Sequence, residues 1–305
     1  MSMNTLVNAI KKMGNPSVAG LDARLEYVPE HVRAKYFVEG EDPFKAAADS
    51  IFEFNCALID ALCDIVPAVK PQSAYYELLG PEGAIMLKKT IDYAKAKGMY
   101  VILDGKRNDI GATAEAYADA YLGKTLINGA MYEPYGADCL TVNAYLGTDG
   151  IAPFLKRCGE NGKGIFVLVK TSNKSSGEFQ DRLMGDKKLC EVMAERVGEW
   201  GADVMTECGY SEVGAVVGAT YPEELRDLRK YMPKNYFLVP GYGAQGGKAS
   251  DVANAFNDDG LGAIVNSSRG IMCAYKKTDG VGLHYAEDAR AEAIRMRDEI
   301  VSFIK

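Results

Sequence analysis

The 305-residue chain is 48% hydrophobic and 25% charged, enough apolar material for a substantial core and a length that an α/β barrel fills as one domain. Its 35 basic and 42 acidic residues leave a net charge of −7, which excludes a general nucleic-acid-binding surface but not a small anionic ligand in a locally positive cleft. The N-terminal MSMNTLVNAIKKMG lacks the apolar core of a signal peptide, and no run approaches membrane-spanning length. Seven scattered cysteines without a C-x-x-C pair predict free, buried thiols in a reducing cytoplasm. The two histidines, His31 and His284, read as surface or packing residues, so proton chemistry falls to lysine and aspartate.

Residues 4–13 have the periodicity of a short amphipathic helix, and 16–22 (PSVAGLD) form a first strand that breaks at Asp22. Residues 24–43 make a polar connection beyond ordinary loop length, and are therefore functional or partly structured. A helix over 45–65 leads to a second strand, 66–70, ending in Lys70 before Pro71. A helix over 81–98 stops at Gly98. The third strand, 100–104, precedes a helical region reaching about residue 126. Strands follow at 138–143, 164–170, 213–218, 236–239 and 262–266, with helices starting near 149 and spanning 190–201, 221–231, 248–257 and 285–304. Between the fifth strand and its helix lies a polar loop, 171–186; Trp200 reads as core packing. Eight strand–helix alternations without a break in composition predict a single (β/α)8 TIM barrel over residues 1–305, with a doubly wound open sheet as the alternative.

Barrels carry their chemistry at the C-terminal ends of the strands. Here those ends read Asp22, Lys70, Asp104 with Lys106, Asn143, Thr171-Ser172-Asn173, the stretch 240–247, and Ser267-Ser268-Arg269. One polar strand end is unremarkable, because strand ends reach water; so many together point to a site. Residues 241–247 hold four glycines and run into a helix, which lets backbone N–H groups approach a phosphate, and Arg269 can add a forked contact. Taken singly, a flexible turn and a surface arginine would look the same.

The centre is VILDGKRNDIGATAEAY, where Asp104 and Lys106, two apart, face the same way on an extended strand end. Three readings fit this charged cluster. Asp104 and Asp109 could hold Mg²⁺, although Lys70 and Lys106 would repel a dication. Lys70 or Lys106 could form a Schiff base, which leaves the second lysine and the aspartates without a task. In the third, alternating Lys and Asp keep each other ionised without a metal, Lys106 donates a proton and Asp104 lies close to a substrate anion.

LDGKRNDIGATA resembles the D-x-K-x-x-D-I-x-x-T signature of the orotidine 5′-phosphate decarboxylase family. The resemblance extends in order through GLDAR, VKPQSAYYE, VKTSN, PGYGAQGG and NSSRGI, and with TVNAYLGTDGI it is similar to the longer bacterial subgroup. Ala144 and Lys174 stand where that subgroup carries proline, a departure that touches loop stiffness after strands four and five. The resemblance implies a cofactor-free, metal-free decarboxylation of orotidine 5′-monophosphate to uridine 5′-monophosphate. It implies a charged tetrad of Lys70, Asp104, Lys106 and Asp109, with Asp109 and Thr113 reaching the site of a partner in a homodimer. Asp22 and Lys70 would contact ribose, Ser172 the pyrimidine edge, and Gln245 both pyrimidine and phosphate. Arg269 and the backbone at Gly247 and Ser268 would hold the phosphate, and Ile110 and Pro240 would wall the base.

Overall fold

A computed structural model of the chain describes residues 2–22, 24–243, 246–278 and 280–304. Its centre is a closed parallel barrel of β1 (Ser17–Leu21), β2 (Ala68–Pro71), β3 (Tyr100–Arg107), β4 (Cys139–Val142), β5 (Gly164–Lys170), β6 (Val213–Val217), β7 (Phe237–Val239) and β8 (Ala263–Ser267). The strands neighbour one another in chain order, and β1 closes on β8 with Ser17 opposite Val265. Closure decides against the open sheet. The longer helices are α1 (Ser2–Met13), α2 (Pro43–Leu62), α3 (Gly80–Ala96), α4 (Gly111–Leu122), α5 (Thr148–Asn161), α6 (Leu189–Gly201), α7 (Pro222–Tyr231) and α8 (Tyr285–Val301).

Side chains alternate along each strand, so one set packs outward against the helices and the other fills the barrel. The outward set includes Val69, Val101, Leu103, Leu140, Val142, Val167 and Val265, and forms one core with the helix faces. The inward set is Val18, Ala68, Tyr100, Ile102, Cys139, Phe166, Val216, Leu238 and Ile264. Met3, Leu6, Val7 and Ile10 of α1 pack on that inner set and plug the N-terminal mouth of the barrel. Two residues further along, the same inward parity reaches Lys70 from Ala68, Asp104 from Ile102, Thr141 from Cys139 and Asn266 from Ile264. The apolar plug at one end and the polar cluster at the other are thus one periodicity.

Glu212 lies at the plugged end, buried, with its Oε2 accepting the Met3 backbone N–H at 2.8 Å and its Oε1 without a hydrogen-bond partner among the described residues. It caps the start of α1 from across the barrel. Burial raises its pKa to about 7, against the opposing hydrogen bond from Met3. A carboxyl whose folded pKa is raised holds its proton more tightly in the folded chain, so stability falls as pH rises from about 4.5 to about 7 and then levels. The loss is expected to be about 3 kcal/mol, and Glu212→Gln, always neutral, should remove that slope. Thermal midpoints of both proteins across pH 4–8 check it; parallel curves would reject the assignment.

Several connections differ from expectation. The helix after β3 ends at Leu122, not near 126, and is followed by an antiparallel hairpin, Thr125–Ile127 with Ala130–Tyr132. Asn128 and Gly129 at its tip both have positive φ, 48° and 82°, the Asn-Gly signature of a tight hairpin turn. Residues 24–43 contain a 3₁₀ turn (Leu25–Tyr27) and a short helix (Glu30–Arg33), so this stretch is partly structured. Residues 171–186 carry a 3₁₀ turn, Lys174–Glu178, and Leu183–Met184 pairs with Lys187–Lys188. The helix expected over 248–257 is a single turn, Ala249–Val252, that tightens into 3₁₀ at Ala253–Ala255. His31 and His284 are exposed, and Trp200 packs at the edge of the core. All seven cysteines are free thiols, four buried and three half-buried.

Candidate active site

The C-terminal mouth of the barrel opens into a cleft of about 690 Å³. It is lined by Asp22, Lys70, Asp104, Lys106, Ser172, Pro240 and Ser268, together with Gln72, Thr141 and Asn266 and an apolar floor of Leu168, Val216 and Leu238.

Asp104 is the hub. Its Oδ2 accepts from Lys70 Nζ at 2.9 Å and Gln72 Nε2 at 2.9 Å, and its Oδ1 from Lys106 Nζ at 2.5 Å and Thr141 Oγ1 at 2.9 Å. Burial alone would push this carboxyl up, but the two ammonium groups and their hydrogen bonds outweigh it and hold Asp104 well below the usual carboxylate range. Lys70 is buried too. Desolvation works against its charge, yet Asp104 and Asp22 together raise its pKa above the ordinary lysine value. Asp104 and Lys70 are therefore ionised together at neutral pH.

Lys106 reaches Asp104 by a route that extended-strand parity does not describe. Its φ is +48°, a left-handed conformation that costs a side-chain-bearing residue roughly 1–2 kcal/mol. The β3–β4 register shifts between Leu103 and Arg107, and the Lys106 backbone N–H donates to Thr141 Oγ1 at 2.9 Å. Thr141 therefore holds both the strained backbone of Lys106 and the carboxylate that its ammonium meets. Arg107, which also lines the cleft, pairs with Glu77 there, with its guanidinium over the Tyr117 and Tyr121 rings.

The sequence profile of the orotidine 5′-phosphate decarboxylase / HUMPS family matches residues 43–280. The orotidine 5′-phosphate decarboxylase of Rhodopirellula baltica is 45% identical over 305 residues, covering 98% of this chain and 99% of that one. The Clostridium tetani orotidine 5′-phosphate decarboxylase is 42% identical over 306 residues, covering 100% and 99%. The chain belongs to this family. Among solved structures, Leishmania donovani OMP decarboxylase superposes with a TM-score of 0.76 at 30% identity, covering 99% of this chain and 98% of that one.

For a member of the orotidine 5′-phosphate decarboxylase family, the cleft gathers most of the residues expected from sequence. Asp22, Lys70, Asp104, Lys106, Ser172, Pro240 and Ser268 line it together. Asp109, Ile110 and Thr113 do not: Ile110 and Thr113 are exposed at the start of α4, and Asp109 accepts the Ile110 backbone N–H at 2.8 Å. The Gly247 N–H is spent on the Gly241 carbonyl at 3.1 Å, closing the glycine-rich turn on itself. Arg269 is exposed at the start of the short helix Arg269–Met272, outside the cleft lining. Gln245 lies outside the described residues. Asn143, polar at its strand end, is a turn residue whose Oδ1 accepts the Tyr145 N–H at 3.0 Å. Strand ends alone do not point to Gln72, Thr141 and Asn266, which are among the other polar residues lining the cleft. Inward parity is the signal that finds Thr141 and Asn266, and Gln72 follows as the next inward position after Lys70.

Proposed function

We propose that this chain decarboxylates orotidine 5′-monophosphate to uridine 5′-monophosphate, the last step of de novo pyrimidine nucleotide synthesis, without a cofactor and with Lys106 as proton donor. The observation that carries this reading is the Lys70–Asp104–Lys106 array at the mouth of the barrel in a chain of this family. Loss of CO₂ from C6 leaves an electron pair in the plane of the ring, where the ring cannot delocalise it. A preorganised cation is the stabiliser such a pair needs, and the Lys106 ammonium supplies both that charge and the proton that ends on C6. Asp104, held ionised, faces the departing carboxylate and disfavours the ground state. Lys70 balances it, so that the array stays charged as Lys106 gives up its proton.

The remaining contacts are read as binding and orientation. Asp22 and Lys70 take ribose hydroxyls, Ser172 and Gln245 the pyrimidine, and Pro240 and Ile110 wall the base. Arg269, with the backbone at Gly247 and Ser268, takes the phosphate. Because the Gly241–Gly247 turn is closed on itself, phosphate binding is expected to reopen it and draw Arg269 inward. Arg269→Ala should then raise KM about ten- to a hundredfold, the worth of a charge-assisted contact, with an unchanged unfolding midpoint; steady-state kinetics check it, and an unchanged KM with unchanged kcat rejects the assignment.

The active form is read as a cytoplasmic homodimer in which residues 1–305 act as one domain, with Asp109 and Thr113 completing the neighbouring site. Supporting this are the exposure of Thr113 and the exposed apolar side chains of Leu78, Ile110, Tyr145 and Leu146, in the connections that follow β2, β3 and β4. If sites are shared, mixing inactive Lys106→Ala and Asp109→Ala proteins restores up to about a quarter of wild-type activity through hybrid dimers carrying one intact site. No recovery after subunit exchange sinks the shared site.

The nearest rival on this scaffold is a Mg²⁺-dependent sugar-phosphate lyase, which would want a carboxylate where Lys70 stands. Ultraviolet absorbance of orotidine monophosphate followed with enzyme and EDTA separates the two: sustained turnover supports the decarboxylase, and chelator-sensitive or absent turnover overturns it.

A further inference from the structure

Lys170 ends β5 two residues beyond Leu168, which lines the cleft, yet Lys170 does not line it. Opposite it, the β5–β6 register slips between Val216 and Val217, so that Val217 pairs with Lys170. The side chain is fully buried. Its Nζ meets Asp181 Oδ1 at 2.5 Å and Glu224 Oε2 at 3.4 Å, and lies 4.8 Å from the centroid of the Tyr221 ring. Glu224, in the first turn of α7, also meets Lys188 at 3.1 Å, at the N-terminal end of α6. Two lysines and two carboxylates thus balance one another beneath the segment 171–186, away from the charged hub of the cleft.

The position of this network is what gives it a consequence. Asp181 belongs to the segment after β5; Glu224 and Tyr221 belong to the chain after β6. One buried ammonium joins the two. Around it, Gly218 N–H donates to the Lys170 carbonyl at 2.8 Å, and a Cβ at Gly218 would lie 2.9 Å from the Ser172 Cα, so the two strand ends are in backbone contact. Gln180 then folds the segment back on itself: its Oε1 accepts the Thr171 N–H at 2.9 Å and its Nε2 donates to Thr171 Oγ1 at 2.8 Å. Ser172, the next residue, faces the cleft.

We propose that Lys170 is a positioning residue for the reaction: its ammonium clamps the 171–186 segment to α7 and so fixes Ser172 where the pyrimidine edge docks. The proposal rests on the reading that Ser172 meets the base. A buried charge that loses one partner leaves the others uncompensated, so removing the ammonium sets Asp181 and Glu224 against each other and loosens the segment. Lys170 touches neither substrate nor the reacting atoms, and its effect is exerted through Ser172.

The test uses Lys170→Met, which keeps the length of the side chain, and Asp181→Asn, which cuts the same contact from the more exposed side and keeps the test informative if the first variant folds poorly. Each is expected to lower kcat/KM about tenfold and to speed amide exchange across 171–186, with exchange in β2–β4 unchanged. In a Ser172→Ala background the same substitutions should cost little further activity, because the contact they position is already gone. A purely structural role predicts the opposite, an equal loss in both backgrounds, and that result, or unchanged exchange across 171–186, overturns the clamp. Full kcat/KM in Ser172→Ala alone overturns the base contact instead, while the exchange measurement still decides whether the clamp exists.

Discussion

Lys106→Ala is expected to lower kcat by about 10⁴-fold or more, combining the loss of a preorganised charge with the loss of the proton donor. The fold should survive. Asp104 keeps Lys70, Gln72 and Thr141 as donors after the change, and the Lys106 side chain is already 45% exposed. The Lys106 backbone N–H still has Thr141 Oγ1 to bind, so the bend of β3 is retained. Single-turnover kinetics beside circular dichroism check this prediction. A variant with near-normal kcat would remove Lys106 from the chemistry, whereas one that is inactive and unfolded would say that the residue holds the strand together.

Asp104→Asn has the second large effect, and it falls on stability as well as rate. An amide offers one acceptor oxygen where the carboxylate now receives four hydrogen bonds, and it leaves Lys70, buried in the barrel, without its counter-charge. Breaking a buried ion pair from one side costs about 3 kcal/mol or more, and kcat should fall roughly a thousandfold as the array loses its balance. The pH dependence has a definite sign. Because Asp104 is held well below the ordinary carboxylate pKa in the folded chain, its contribution is complete above the unfolded value of about 4. Below that pH the unfolded chain gains protons first, and the contribution is lost progressively in stronger acid. Urea unfolding of both proteins should show a stability gap that is constant from pH 5 to 7 and narrower at pH 3. A gap independent of pH would mean that Asp104 titrates alike in the folded and unfolded chain and is not held by its lysine partners.

Much of the site could be read along the chain because strand periodicity and strand ends are local properties. Val69-Lys70-Pro71 and Leu103-Asp104 each show an apolar run meeting a charge, and the closed barrel brings those ends together because parallel strands in sequential order all finish on one side. The same locality explains what was passed over. Thr141 and Asn266 sit in runs that read as plain strand, and only their parity with Cys139 and Ile264 turns them to the cleft. The hairpin at 125–132 was hidden by helical composition upstream, although Asn128-Gly129 marked its turn.

By itself the sequence determined the eightfold alternation and the placing of Lys70, Asp104 and Lys106 at strand ends, because each depends on residues a few positions apart. Only the tertiary structure decided which of these groups touch: Gln72 and Thr141 on Asp104, Lys170 on Asp181 and Glu224, Glu212 on the start of α1. It also bent Lys106 into a left-handed conformation that no propensity favours. Such pairings join positions from 11 to 209 residues apart, and the energy of a buried charge depends on what closes around it rather than on what precedes it in the chain.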